Sequence, residues 1–128
     1  MNIGEAAKLT GLSIKQIRDY EKSGLLTNTL RSETGYRIYN ESDINRLKFI
    51  ANARSVGFSL SQIGELLALN DNPNRKSCEV KSLTATHIAF LSNKINELQS
   101  MEQTLQAWSD TCSGDEGSDC PILRGLVG

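Results

Sequence analysis

NIGEAAKLTGLSIKQIRDYEKSG, residues 2–24, is the stretch whose reading decides the fold. From Asn2 to Leu9 the apolar residues Ile3, Ala6, Ala7 and Leu9 fall on the inner side of a short amphipathic helix. Thr10-Gly11-Leu12 then reads as a tight turn. Ser13 is a good N-cap, and Gln16 three residues on completes a capping box. Ile14, Ile17 and Tyr20 supply the buried stripe of this second helix, which stops at Ser23-Gly24. Two short helices joined by a glycine-containing turn form a helix-turn-helix. Many helical proteins contain that pattern, so its function has to be sought in what flanks it.

Outward toward the C-terminus, RSETGYRIY (31–39) combines a turn at Gly35 with Tyr36, Ile38 and Tyr39, which favour extended structure; this is the expected wing. Tyr36 and Tyr39 are equally suited to packing that wing against the helices. Asn40 or Ser42 caps a third helix carrying Ile44, Leu47, Phe49, Ile50 and Ala53, which Gly57 ends. Ser59, with Gln62 at the capping-box position, opens a fourth whose apolar face is Ile63, Leu66, Leu67 and Leu69. NDNPN (70–74) is a clear break.

Between Ser77 and Trp108 there is no proline or glycine, and Ile88, Leu91, Ile95, Leu98 and Leu105 alternate steps of three and four, with Glu102 as one interruption. That is a coiled-coil seam. A helix of about 30 residues spans roughly 45 Å, far more than so small a chain can cover by itself. The stripe therefore implies a partner helix, most simply from a second copy, parallel or antiparallel. The other solution, an intramolecular hairpin, lacks a second long helix. The expected organisation is a winged helix-turn-helix domain over 1–69, a linker over 70–76, a dimerisation helix over 77–109 and a loop with a short helix over 110–128.

The chemistry concentrates at the end. TCSGDEGSDCPI (111–122) holds Cys112 and Cys120, two of the three cysteines, in a glycine-rich acidic loop with seven residues between them. Two thiolates without a nearby histidine suit a soft monovalent ion such as Cu(I), whereas Zn(II) asks for four ligands. The only histidine, His87, falls on the long helix and is expected at its surface or seam. Asp115, Glu116 and Asp119 raise the cost of forming thiolates nearby, a cost that metal binding offsets by displacing the protons. Gly114 and Gly117 should leave the loop flexible until metal orders it. Behind the second cysteine, Pro121, Ile122, Leu123, Leu126 and Val127 form a small apolar cluster, expected to dock on the long helix or a DNA-binding domain.

Composition narrows the function classes. At 128 residues the chain has little room for a large catalytic cleft. An odd count of three cysteines makes no disulfide framework. A thiol oxidoreductase would want a CxxC pair in a strand-helix context, and neither is found. No apolar run approaches the roughly 20 residues of a membrane span, and MNIGEAAK lacks the apolar core of a signal peptide, so a cytoplasmic protein without membrane association is expected. Residues 1–64 carry nine Lys/Arg against six Asp/Glu, and residues 65–128 five against nine. A basic front half suits a nucleic-acid contact.

IGEAAKLTGLSIKQIRDYEKSGLL (3–26) and RSETGYRIYNESDINRLKFIANARSVGFSLSQIGELL (31–67) resemble the MerR family of transcription regulators, and the resemblance covers nearly the whole chain. The cysteine loop followed by CPIL is similar to the branch that senses monovalent copper-group ions. The resemblance implies a mainly α fold: a winged helix-turn-helix domain, a long helix forming an antiparallel coiled coil in a homodimer, and a C-terminal metal loop with a short helix. It implies double-stranded promoter DNA and RNA polymerase as partners, and Cu(I), or Ag(I) or Au(I), as the ion bound by Cys112 and Cys120. Activation of copper, silver or gold resistance or efflux genes would follow from distortion of the promoter. Carried over by position, Ser13, Lys15, Gln16 and Arg18 lie on or beside the recognition helix, Tyr20 lies close to the DNA backbone, and Arg31, Tyr36 and Arg37 belong to the wing. Arg and Lys neutralise phosphates, and helix N-termini turn N–H groups toward them. Asp19 departs from the family pattern, which has an aromatic pair there; an acid beside phosphate is unhelpful unless Arg18 or Lys22 pairs with it.

The resemblance also singles out the start of the long helix, where divalent-ion sensors of the family place a cysteine that reaches the other subunit's metal loop and monovalent sensors a serine. Ser77 falls on that position and Cys78 one residue later, rotated by about 100°. Ser77 thus favours the monovalent ion. If Cys78 swung in as a third thiolate, Zn(II) or Hg(II) would be admitted. Lys81, one turn on, is placed to balance a negative bis-thiolate.

Overall fold

A computed structural model describes residues 1–26, 30–31 and 37–128, with Leu30, Arg31 and Arg37 described by their backbone alone. α1 (Ile3–Thr10) starts where the Asn2 side chain accepts the Glu5 N–H and ends at Gly11, whose φ of 73° is the left-handed cap that glycine adopts without steric cost. α2 (Ile14–Lys22) opens with the expected capping box: Ser13 N–H donates to Gln16 Oε1 at 2.9 Å, and Gln16 N–H to Ser13 Oγ at 3.0 Å. β1 (Leu30–Arg31) and β2 (Arg37–Ile38) pair antiparallel, Leu30 opposite Ile38 and Arg31 opposite Arg37. Tyr36, expected in the wing, lies outside the described residues.

α3 (Glu41–Ser55) takes its cap from Asn40, not Ser42, because Asp43 closes the box: its N–H donates to Asn40 Oδ1 at 2.8 Å and its carboxylate accepts the Asn40 N–H at 3.0 Å. α4 (Leu60–Asp71) is opened by Ser59 and Gln62 as expected and runs to Asp71. Its last residue is tied back to α3: Arg46 bonds the Asp71 carboxylate at 3.0 Å while its Nε donates to the Leu25 carbonyl at 2.6 Å. One side chain thus joins α3, the end of α4 and the chain after α2. α5 (Ser77–Asp110) is a single helix of 34 residues, and α6 (Pro121–Val127) is a short one with proline in its first turn.

The chain divides into two compact units, Met1–Val80 and Lys81–Gly128, the division falling within α5. In the first, α1 packs on α2 and α3, and α3 on α4. Ile17, Leu47, Ile50 and Ile63 are fully buried at the centre, each such side chain stabilising the fold by roughly 1.5–3 kcal/mol. Tyr39 is buried with them. Its hydroxyl donates to the Glu21 carboxylate, and its backbone exchanges hydrogen bonds with Met1 at 2.8 and 3.0 Å. Of the roles open to it, Tyr39 takes packing.

In the second unit the seam residues Ile88, Leu91, Ile95, Leu98 and Leu105 are all exposed, between 37% and 63%. His87, expected at the surface or seam, is instead buried and stacks on Phe90 with ring centroids 6.0 Å apart. The i,i+3 spacing on one helix face brings the two rings together. Among the described residues no helix is long and apolar enough to cross a membrane.

Candidate functional site

The exposed side of α2 is one candidate site. Ser13, Lys15, Gln16 and Arg18 are all exposed on it. The capping box fixes Ser13 and Gln16 through their oxygens as acceptors, which leaves the hydroxyl proton and the amide NH2 as donors for an outside acceptor. Tyr20, carried over as a neighbour of the DNA backbone, is only 4% exposed. Its register sets it on the inward stripe three residues after Ile17, so its ring belongs to the core and offers almost no surface to a phosphate. Asp19 is exposed, and among the described residues no salt bridge joins it to Arg18 or Lys22. The side chains of Arg31 and Arg37 lie outside the description.

A second, separate candidate site is the C-terminal loop, where the structure places Cys112 and Cys120 as neighbours. Cys112 hangs from the last turn of α5, its N–H bonded to the Ser109 carbonyl at 3.1 Å. Cys120 is the N-cap of α6. The Leu123 backbone N–H, foremost, holds the Cys120 thiol below its usual pKa, with Ile122 N–H and a hydrogen bond from the Cys112 thiol adding to it; partial burial and the negative Asp119 oppose them. The expectation that loop acids disfavour thiolate is thus right for the sign of Asp119 and wrong for the net at Cys120, because helix N–H groups outweigh it. Asp119 in turn faces Arg124 at 3.5 Å.

Asp115, read from sequence only as a negative charge, organises the loop. Its carboxylate accepts from Ser113 Oγ at 2.8 Å and from the Gly117 N–H at 2.8 Å, and these two bonds hold its pKa below the usual carboxylate value. These two bonds give the loop a local turn between Ser113 and Gly117. The signal was available: an aspartate bonding the N–H two residues on is an Asx turn.

Both cysteines are half-buried free thiols, whereas Cys78 is exposed. Among the described residues no group of three or more His, Cys, Asp or Glu gathers where a metal would sit. Two neighbouring thiols, the Cys120 pKa held below its usual value, make a donor set that fits a soft ion of low coordination number.

An exposed capped helix in a helix-turn-helix, followed by a long helix and a thiol loop, is the architecture of a DNA-binding regulator. The description "MerR HTH family regulatory protein" matches residues 1–69 and "MerR, DNA binding" matches residues 44–108. The chain belongs to the MerR family of DNA-binding transcription regulators. It is 60% identical over 128 residues, the whole of both chains, to a "Probable heavy metal-dependent transcriptional regulator" of Haemophilus influenzae. It is 47% identical over 128 residues to the "HTH-type transcriptional regulator CueR" of Salmonella typhi, covering all of this chain and 93% of that one. Among solved structures it is similar to the transcription regulator PbrR691 of Ralstonia metallidurans CH34 in complex with lead(II), at a TM-score of 0.84 and 36% identity over 98% of each chain. These relatives are transcription regulators, not enzymes.

Proposed function

We propose that the chain is a homodimeric regulator that binds promoter DNA and switches on resistance or efflux genes when Cu(I), or Ag(I) or Au(I), is held by Cys112 and Cys120. The observation that carries this reading is the placing of two half-buried free thiols as neighbours, one just past the end of α5 and one at the cap of α6. The 47% identity to CueR supports copper as the signal, and Ser77 at the opening of α5 supports a monovalent ion. In this reading residues 1–69 bind DNA, 70–76 link, 77–109 dimerise and 110–128 sense.

A copper-group ion, when bound, supplies a coordinate link between the two sulfurs. The chain's own residues do the rest. Because Cys112 follows the end of α5 by two residues and Cys120 caps α6, the gap between the sulfurs is set by the gap between two helix ends. α6 carries Leu123, Leu126 and Val127, each more than 60% exposed, ready to dock elsewhere when α6 is held. Ser13, Lys15, Gln16 and Arg18 grip the DNA, with Arg31, Tyr36 and Arg37 of the wing. Bending or untwisting an operator for RNA polymerase costs of order 1–6 kcal/mol, within reach of the difference that a sensor makes between two states.

Cys112→Ser should abolish metal-induced transcription in vitro while operator affinity changes less than about twofold; loss of DNA binding instead would end the separation of roles. A divalent reading is favoured by one observation, the exposed Cys78 beside Ser77 in a chain similar to a lead(II)-bound regulator. Titration with Cu(I), Ag(I), Au(I), Zn(II), Hg(II) and Pb(II), read by transcription in wild type and Cys78→Ser, decides between them. Induction by the monovalent ions, unaffected by Cys78→Ser, is the expected result.

A further inference from the structure

Gly125 lies inside α6 with no positive φ to require glycine, and glycine inside a helix is less stable than alanine. Its reason is a close approach: a Cβ there would lie 2.5 Å from Cε2 and 2.8 Å from Cδ2 and Nε1 of Trp108. The backbone of α6 therefore rests directly on the indole of the last turns of α5.

Each cysteine is fixed to one side of that contact. Cys112 is bonded to Ser109, and its neighbour Thr111 bonds the Trp108 carbonyl at 2.9 Å, so the first thiol belongs to the turn that carries the indole. Cys120 caps α6, its carbonyl accepting the Arg124 N–H at 3.2 Å, so the second thiol belongs to the helix that carries the glycine. With both sulfurs built into helix ends, what sets their separation is how one helix seats on the other.

We infer that Trp108 and Gly125 are a positioning pair for the two-thiol site: the flat indole seats α6 against α5 at the distance that holds Cys112 and Cys120 together. Neither touches the ion, and each acts through the helix that bears it. This rests on the sensor reading above. The pair is complementary in size, so a methyl group added at 125 is harmful only while the indole is present.

That conditional effect is the test. Gly125→Ala, Trp108→Ala and the double variant are prepared as full chains. Cu(I) affinity is measured against a competing chelator, and in the apo proteins the iodoacetamide alkylation rates of Cys112 and Cys120 are followed by mass spectrometry. Gly125→Ala alone should weaken Cu(I) binding roughly tenfold and speed alkylation by a similar factor, because overpacking forces the helices apart. Added to Trp108→Ala, the same substitution should leave both readings unchanged or improve them, since alanine is the better helix former. Equal effects of Gly125→Ala in the two backgrounds, no effect in either, or a loss of helical circular dichroism or promoter binding would overturn the inference. If wild type fails to bind Cu(I) at all, the sensor reading falls, while the alkylation arm still decides whether the pair seats the helix.

Discussion

Asp115 and Cys120 show how much of the C-terminal loop is built from short-range hydrogen bonds. Asp115→Ala removes the acceptor of both Ser113 and Gly117, and its expected outcome is faster alkylation of Cys112 and Cys120 with an unchanged melting temperature. Because the folded-state pKa of Asp115 is lowered, the carboxylate that accepts these two loop bonds is fully formed above the ordinary aspartate range, and the bonds weaken only as pH falls through the lowered value. Nuclear magnetic resonance titration of the Asp115 carboxyl should show a midpoint below 3.8. On the DNA side, Lys15→Ala and Arg18→Ala should each weaken promoter binding for all sequences and lower the salt dependence by about one, read by titration at several salt concentrations. The thiol pair was legible in sequence because its donor types state its chemistry. That the two thiols share one place was expected from their common ion; how α6 seats on α5 to put them there was not legible, because it depends on a packing contact between helices. Tyr20 was half legible: the stripe spacing put it inside, whereas the family resemblance put it at the DNA.

The helices of the first unit were the most legible elements, for a local reason. Ser13 with Gln16 and Ser59 with Gln62 close their boxes within four residues, so nothing distant decides them. The start of α3 was ambiguous between Asn40 and Ser42 until Asp43 was seen to serve as the reciprocal acceptor. Ser13→Ala should cost about 1 kcal/mol, and Ile17→Ala, at a fully buried position, about 2–5 kcal/mol, both measured by urea unfolding. Ile17→Ala should also weaken promoter binding in proportion to unfolding, since α2 is held by that residue. In α5 and α6 legibility fell away. The burial of His87 and the fit of Gly125 to Trp108 join residue types that carry no mark of each other in the sequence, and only the coordinates reveal them.

On the scale of the whole molecule, an apolar stripe along a 34-residue helix stays exposed in one chain, which is the physical argument for a dimer. Ile95→Lys places a charge in the middle of that stripe. It should shift the protein to monomer in sedimentation while leaving the Met1–Val80 unit folded, and the wild-type melting temperature should rise with protein concentration. The exposed stripe was legible from spacing and length alone. The antiparallel orientation expected of a partner helix rests on the resemblance, because a seam reads the same in either direction. The single tryptophan of the chain is the one on which α6 rests. The protein is thus its own optical probe: all of its indole emission comes from the place where the sensing loop meets the long helix. Excitation near the red edge of protein absorbance should yield a spectrum whose position and polarisation follow that one contact, with no attached dye.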